Sequence, residues 1–188
     1  MLQQTQVDRV IDKYKEFITA FPDFEALAHA PIVNVLRVWQ GLGYNRRALF
    51  LKQIAQIITQ EYSGLLPRDP DVLKTLPGIG YSTACAITTF AFNKPSPFIE
   101  TNIRALFIQF FFKNKTEVSD NEIFPLLEKT LDASNPREWY YALMDFGSHI
   151  KKTRKNPSRK SAHYIKQSPF RGSNREIRGM ILVDVMIC

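Results

Sequence analysis

The sequence predicts an all-α fold. Apolar residues recur at helical three-and-four spacing along most of the chain, proline and glycine interrupt that pattern repeatedly, and nothing alternates with period two long enough to demand a sheet. Val7, Val10, Ile11, Tyr14, Phe17, Ile18 and Phe21 share one face of a first helix, which Pro22 ends. Helical patterns follow over Phe24 to Ala28, Ile32 to Gln40, Ala48 to Tyr62 and Val72 to Leu76, separated by Pro31, by Gly41 and Gly43, and by Gly64 and Pro67. Two more apolar helices, Ser82 to Phe92 and Ile103 to Phe112, flank a break at Asn93 to Pro97. Ser119 with Glu122 is a capping-box signature for a helix reaching Leu131, and Pro136 suits the first turn of a helix running to Ile150. Asn156 to Gly172, rich in Pro, Ser and basic residues, reads as an irregular loop, after which Asn174 is placed to cap a closing helix.

At 188 residues and 45% hydrophobic content, the chain can bury one generous core or two small lobes. No apolar run approaches the ~20 residues of a membrane span, and Met1 to Gln6 lack the pattern of a secretory signal. The expectation is a cytoplasmic, nucleoid-associated protein with no membrane partner. Cys85 and Cys188 are too few for a disulfide framework or a four-thiolate metal site. The net charge of +7 is concentrated between Lys151 and Arg178, where ten Lys or Arg face a single acid, Glu176. Such asymmetry points to a polyanionic partner, because each neutralised phosphate releases condensed counterions. Composition alone leaves open a solvated basic tail.

The most specific local signal is Leu73-Lys74-Thr75-Leu76-Pro77-Gly78-Ile79-Gly80-Tyr81-Ser82-Thr83-Ala84, opening a second apolar helix. Gly78 and Gly80 allow a tight interhelical turn, with Ile79 as its anchor to the core. The amides freed at the start of the second helix then point outward with the positive end of its dipole, a site for a phosphate oxygen.

With that string, the sequence resembles the helix-hairpin-helix DNA glycosylase superfamily, and within it the adenine-specific mismatch branch. Four further motifs carry the resemblance over residues 1 to 150: Met1-Leu2-Gln3-Gln4-Thr5-Gln6-Val7, Trp39-Gln40-Gly41-Leu42-Gly43-Tyr44, Glu100-Thr101-Asn102-Ile103-Arg104 and Ala142-Leu143-Met144-Asp145-Phe146-Gly147. It implies a two-lobed helical fold with a DNA cleft between the lobes. Residues 1–150 would form the glycosylase core with the hairpin at 73–87, residues 151–178 a basic loop, and 179–188 the end of a C-terminal helix. The implied protein is a monomer acting on double-stranded DNA that contains a damaged or mispaired base.

Enzymes of this superfamily flip a base from the duplex and cut its bond to the sugar. By resemblance, Leu2 lines the base pocket, Gln3 and Gln4 fill or probe the gap in the stack, and Tyr44 wedges beside the orphaned partner. Gly78, Gly80 and Thr83 would hold phosphate, and the hairpin could hold a monovalent cation. The bond breaks through an oxocarbenium-like sugar, which a fixed carboxylate can stabilise. Where the family has aspartate, this chain has Glu100, whose longer stem requires the carboxylate to fold back or the pocket to shift. Asn102 would orient the same sugar or its water; the competing reading makes both residues a helix start. Lyase-capable relatives carry a lysine where this chain has Ser82, so hydrolysis without strand cleavage is expected.

Two departures matter. The adenine-specific relatives carry a glutamate acid two residues before the Met-Leu-Gln-Gln string, and the expectation is that the sequence starts short of it. The relatives also place the first of four cluster cysteines directly after the helix ending at Ile150, where this chain has Lys151. No 4Fe-4S cluster is therefore expected. Lys151, Lys152, Arg154 and the basic residues after them would present charge to the phosphate backbone instead, with Tyr164 and Phe170 tucked into the core and His163 at the surface. The leading expectation is a monofunctional glycosylase removing adenine opposite 8-oxoguanine. Removal of uracil or thymine from mismatches, and a DNA-binding module without catalysis, are the alternatives.

Overall fold

The computed structural model describes residues 1–187 apart from Gln3, Gln4, Gln6, Gln167, Ser168 and Phe170, with backbone alone at Arg175 and at 182–187. The described residues are helical, joined by turns, and the one β-type contact is an isolated parallel bridge between Val118 and Ser161. They form two compact units: Met1–Pro67 with Leu76–Gly78 and Gln167–Cys188, and Arg68–Thr75 with Ile79–Lys166.

The first unit contains α1 (Val7–Ala20), α2 (Phe24–His29), α3 (Ile32–Trp39) and α4 (Arg46–Glu61). Its core collects Val10, Phe17, Phe21, Leu27, Val35, Trp39, Leu42, Ala48 and Ala55. Phe17 meets Phe21 and Trp39 edge-on, at centroid distances of 5.1 and 6.0 Å. That geometry suits the aromatic quadrupole. Asp23 caps α2 by accepting from Ala26 N at 2.7 Å, and Lys52 of α4 closes its other end by donating to Ala28 O at 2.7 Å. The helical period of α1 is real, yet only part of its apolar stripe is covered. Val10 and Phe17 are buried, whereas Val7, Ile11, Tyr14 and Ile18 remain exposed.

The second unit holds α5 (Pro70–Leu73), α6 (Tyr81–Phe92), α7 (Thr101–Phe111), α8 (Asp120–Thr130) and α9 (Pro136–Thr153). At its centre is α7, which buries Ile103, Ala105, Leu106, Phe107 and Ile108 and packs against α8, α9 and a 3-10 turn at Pro157–Lys160. The capping box at Ser119 and Glu122 is formed. For α9 the cap comes from elsewhere in the chain: Asn93, in the left-handed conformation that ends α6, accepts from Arg137 N at 3.1 Å. Tyr140 is fully buried, and its hydroxyl accepts from Phe98 N at 2.9 Å and donates to Ser96 O at 3.2 Å. Burial pushes that phenol far above its ordinary pKa, so it stays protonated and able to donate.

Three local readings change. Helix α9 runs on to Thr153, so Lys151 and Lys152 are helical, where positive charge complements the helix dipole. The stretch read as irregular contains the 3-10 turn and the bridge to Val118. Two main-chain bonds make that bridge, from Val118 N to Lys160 O at 2.8 Å and from Ala162 N to Val118 O at 3.0 Å. Pro157, Ser158 and Ser161 are buried there, while Tyr164 stays 42% exposed instead of entering the core. Phe170 lies outside the described residues. Finally, Asn174 is the first residue of α10 (Asn174–Ile187), and Ser173 stands in the cap position, accepting from Glu176 N at 3.4 Å.

Candidate active site

The second unit brings three of the sequence-predicted residues together. Glu100 is the N-cap of α7, and its Oε2 accepts from Asn102 N at 2.8 Å. The longer glutamate stem thus folds back along its own backbone, putting the carboxylate at the positive end of the helix dipole. Among the described residues Glu100 makes no ion pair, and Oε1 has no hydrogen-bond partner. Residues 100 and 102 are both half-buried. A carboxylate held by one oxygen, with the other available, can serve as a cap and a charge stabiliser at once.

Asn102 is fixed from two sides. Its side-chain Oδ1 accepts from Lys151 Nζ at 2.9 Å, which leaves the amide NH2 as the donor edge. Gly147 of α9 lies so close that a Cβ there would stand 2.1 Å from Asn102 O and 3.0 Å from Asn102 Cβ. Only glycine lets the two helices meet at this point. Ser158 of the 3-10 turn completes the surroundings by donating to Thr101 O at 3.3 Å. The sequence assigned Lys151 to phosphate; the structure adds Asn102 as its partner, while Lys152 and Arg154 are exposed. No residue-type pattern announced the Lys151 to Asn102 contact, since it joins positions far apart in the chain.

At the hairpin the two glycines differ. Gly78 has φ +73°, and a Cβ there would lie 2.2 Å from the Phe50 ring. Gly80 has an ordinary φ of −87° and open space around it. It is the N-cap of α6 and brings no side chain over the first-turn amides. Ser82 is exposed on that turn, Thr83 is half-buried, and the buried anchors of the hairpin are Leu73 and Leu76, with Ile79 only half-buried. In the first unit, Leu2 is 59% exposed and Tyr44 41% exposed. Tyr44 takes the left-handed conformation at φ 50°, and its ring lies 5.3 Å from the Arg47 guanidinium. Gln3 and Gln4 lie outside the described residues.

These elements match a known family. The model for the HhH-GPD superfamily base excision DNA repair protein matches residues 1–131. The chain belongs to that superfamily. Among curated members, adenine DNA glycosylase of Buchnera aphidicola subsp. Baizongia pistaciae is 38% identical over 154 residues, covering 80% of this chain and 43% of that protein. Adenine DNA glycosylase of Mycolicibacterium smegmatis is 46% identical over 104 residues, 55% of this chain and 36% of that one. The chain thus spans under half the length of these relatives. Among solved structures, a thermostable thymine-DNA glycosylase superposes with a TM-score of 0.73 at 26% identity, over 83% of this chain and 73% of the other. An endonuclease III trapped on DNA shares the fold at TM-score 0.65 and 19% identity, over 97% and 81% of the two chains. The all-α, helix-hairpin-helix expectation holds.

The superfamily's iron-sulfur cluster does not fit the residues present. Lys151 stands where the resemblance puts the first cysteine and directs its ammonium to Asn102, and residues 151–187 contain no thiol. The segment that follows is pinned by the Val118 bridge and by Ser158, with no metal-ligand set among its described residues.

Proposed function

We propose that this HhH-GPD chain is a monofunctional DNA glycosylase that removes adenine paired with 8-oxoguanine. The observation that carries the proposal is the Glu100 carboxylate, held at the start of α7 beside an Asn102 whose donor edge is set by Lys151. A carboxylate so placed stabilises a sugar that gains positive charge as the C1′ to base bond lengthens. The departing base takes the bonding electron pair and a proton, and water adds to C1′. In the adenine-specific relatives that proton comes from the glutamate two residues before the Met-Leu-Gln-Gln string. The first-turn amides of α6, uncovered at Gly80, would take a phosphate oxygen, and Leu2 and Tyr44 would contact the flipped base and its orphaned partner. Ser82 offers no amine for a Schiff base, so the product is an abasic site with both strands intact. The protein is proposed to act as a monomer at the nucleoid, with no cluster bound. No described helix is long and apolar enough to cross a membrane.

A set of duplexes, each with one candidate lesion, tests this: incubation and then alkali reveals every abasic site. Cleavage confined to the adenine–8-oxoguanine duplex, and only after alkali, is the expected result. Strand breaks before alkali would refute the argument from Ser82. Cleavage of guanine–thymine or guanine–uracil duplexes would favour the second reading, for which the structural likeness to a thymine-DNA glycosylase speaks. Binding without any release would reduce the chain to a DNA-holding module.

A further inference from the structure

The turn between α3 and α4 is held by one side chain that no motif identified. Between Gln40 and Asn45 the backbone passes through left-handed conformations at Gly41 (φ +91°), Gly43 (φ +71°) and Tyr44; the first turn of α4 takes up Tyr44 O and Asn45 O, while Leu42 O and Gly43 O receive no main-chain N–H from the described residues. Arg47, in the first turn of α4, collects them: its Nη2 donates to Leu42 O and Gly43 O, each at 3.3 Å. The same nitrogen donates to Thr5 Oγ1 at 3.0 Å, and Nη1 donates to Met1 O at 3.0 Å. Thr5 donates in turn to Leu42 O at 3.2 Å, and its own N–H reaches Leu2 O at 3.3 Å. The guanidinium carbon lies 5.4 Å from the Trp39 ring centre and 5.3 Å from that of Tyr44, while Trp39 Nε1 donates to Gly43 O at 3.0 Å.

Two stretches far apart in the chain therefore meet on a single planar cation. One carries Leu2, the other Tyr44. We propose that Arg47 is a positioning residue that holds these stretches in register, so that the pocket wall and the wedge enter the duplex as one piece. The proposal rests on the glycosylase reading and extends it to a residue that touches neither base nor sugar. A guanidinium suits the task because its rigid fork reaches acceptors on both stretches and its flat face stacks on rings; a lysine ammonium offers a single point of donation.

Arg47→Lys keeps the charge and removes the fork. In the free protein, amide hydrogen exchange should speed up at Leu42 to Asn45 and at Thr5, with helical circular dichroism unchanged. On duplexes with 2-aminopurine opposite 8-oxoguanine, the fluorescence rise that reports an unstacked base should require about tenfold more variant than wild type. Affinity for undamaged duplex and its salt dependence should stay the same. Thr5→Val, which removes one of the Arg47 acceptors together with the Thr5 bond to Leu42 O and leaves the Arg47 fork in place, should move exchange and fluorescence in the same direction by less, and it decides the matter if Arg47→Lys does not fold. Unchanged exchange in the folded variants would overturn the proposal. So would a parallel loss of affinity for undamaged duplex with the salt slope reduced by about one, which would make Arg47 a phosphate contact. If wild type unstacks no base in any duplex, the glycosylase reading falls, and exchange in the free protein still decides whether Arg47 joins the two stretches.

Discussion

On the proposed mechanism Glu100 does two jobs with one carboxylate, and a single substitution separates them. Glu100→Gln keeps an oxygen able to accept from Asn102 N, so the cap survives and stability should change by no more than about 1 kcal/mol. The charge is gone, however, and single-turnover base release should fall by about 10²- to 10³-fold while DNA affinity holds. Retained release would remove Glu100 from the chemistry. The sequence offered Glu100 both as a helix start and as a carboxylate that stabilises a cationic sugar, and the geometry is compatible with both, since one oxygen caps α7 and the other has no hydrogen-bond partner among the described residues. What residue types did not disclose was how Asn102 is fixed, because a lysine in a basic run looks like every other lysine there.

At the scale of elements, the hairpin separates conformation from access. Gly78→Ala meets both a left-handed backbone and the Phe50 ring, and should cost roughly 2–4 kcal/mol in chemical denaturation. Gly80→Ala meets neither and should cost about 1 kcal/mol or less, since its methyl group enters open space at the N-cap of α6, where the phosphate is proposed to sit. Weaker DNA binding by a normally stable Gly80→Ala is the expected outcome; unchanged binding would take phosphate away from this turn. Most helices were legible from spacing, capping residues and prolines, because those signals are local. The 3-10 turn, the bridge to Val118 and the far end of α9 were not. The turn and the bridge are tied to main-chain groups tens of residues away, and Ser158 and Ser161 become core residues only once Thr101 and Val118 are in place. Aromatic residues were expected to anchor this segment, yet Tyr164 is left outside by the small polar residues that do so.

Across the whole molecule, two predictions concern charge. Arg104 of α7 grips Asp120 of α8 through two bonds of 2.7 Å, with the side chains 16% and 33% exposed. Burial raises the Asp120 carboxyl, and the hydrogen bond and charge of Arg104 outweigh it, leaving the pKa below its ordinary value. A pKa lowered by folding stabilises the protein above the unfolded value, near 3.9, and that stabilisation is lost as pH falls through the folded value. Asp120→Asn should therefore cost roughly 1–3 kcal/mol at neutral pH. Its deficit in Tm should close progressively as pH falls below about 4; a deficit independent of pH would contradict the ion pair. The second prediction concerns the basic segment. Replacing Lys152, Arg154 and Arg159 with glutamine should weaken binding to all duplexes alike, and the slope of log affinity against log salt should fall by about one for each lost contact. An unaltered slope would leave these three side chains as solvated surface charge.

The bridge at Val118 has a bearing on how such a protein is completed in a cell. Its bonds use only peptide groups, which every residue except proline can offer, so the stretch around it gains its shape from translation alone. On the proposed cluster-free reading, maturation of this region would await no delivery of iron or sulfide, and neither a chelator nor oxygen would have a ligand bond there to attack.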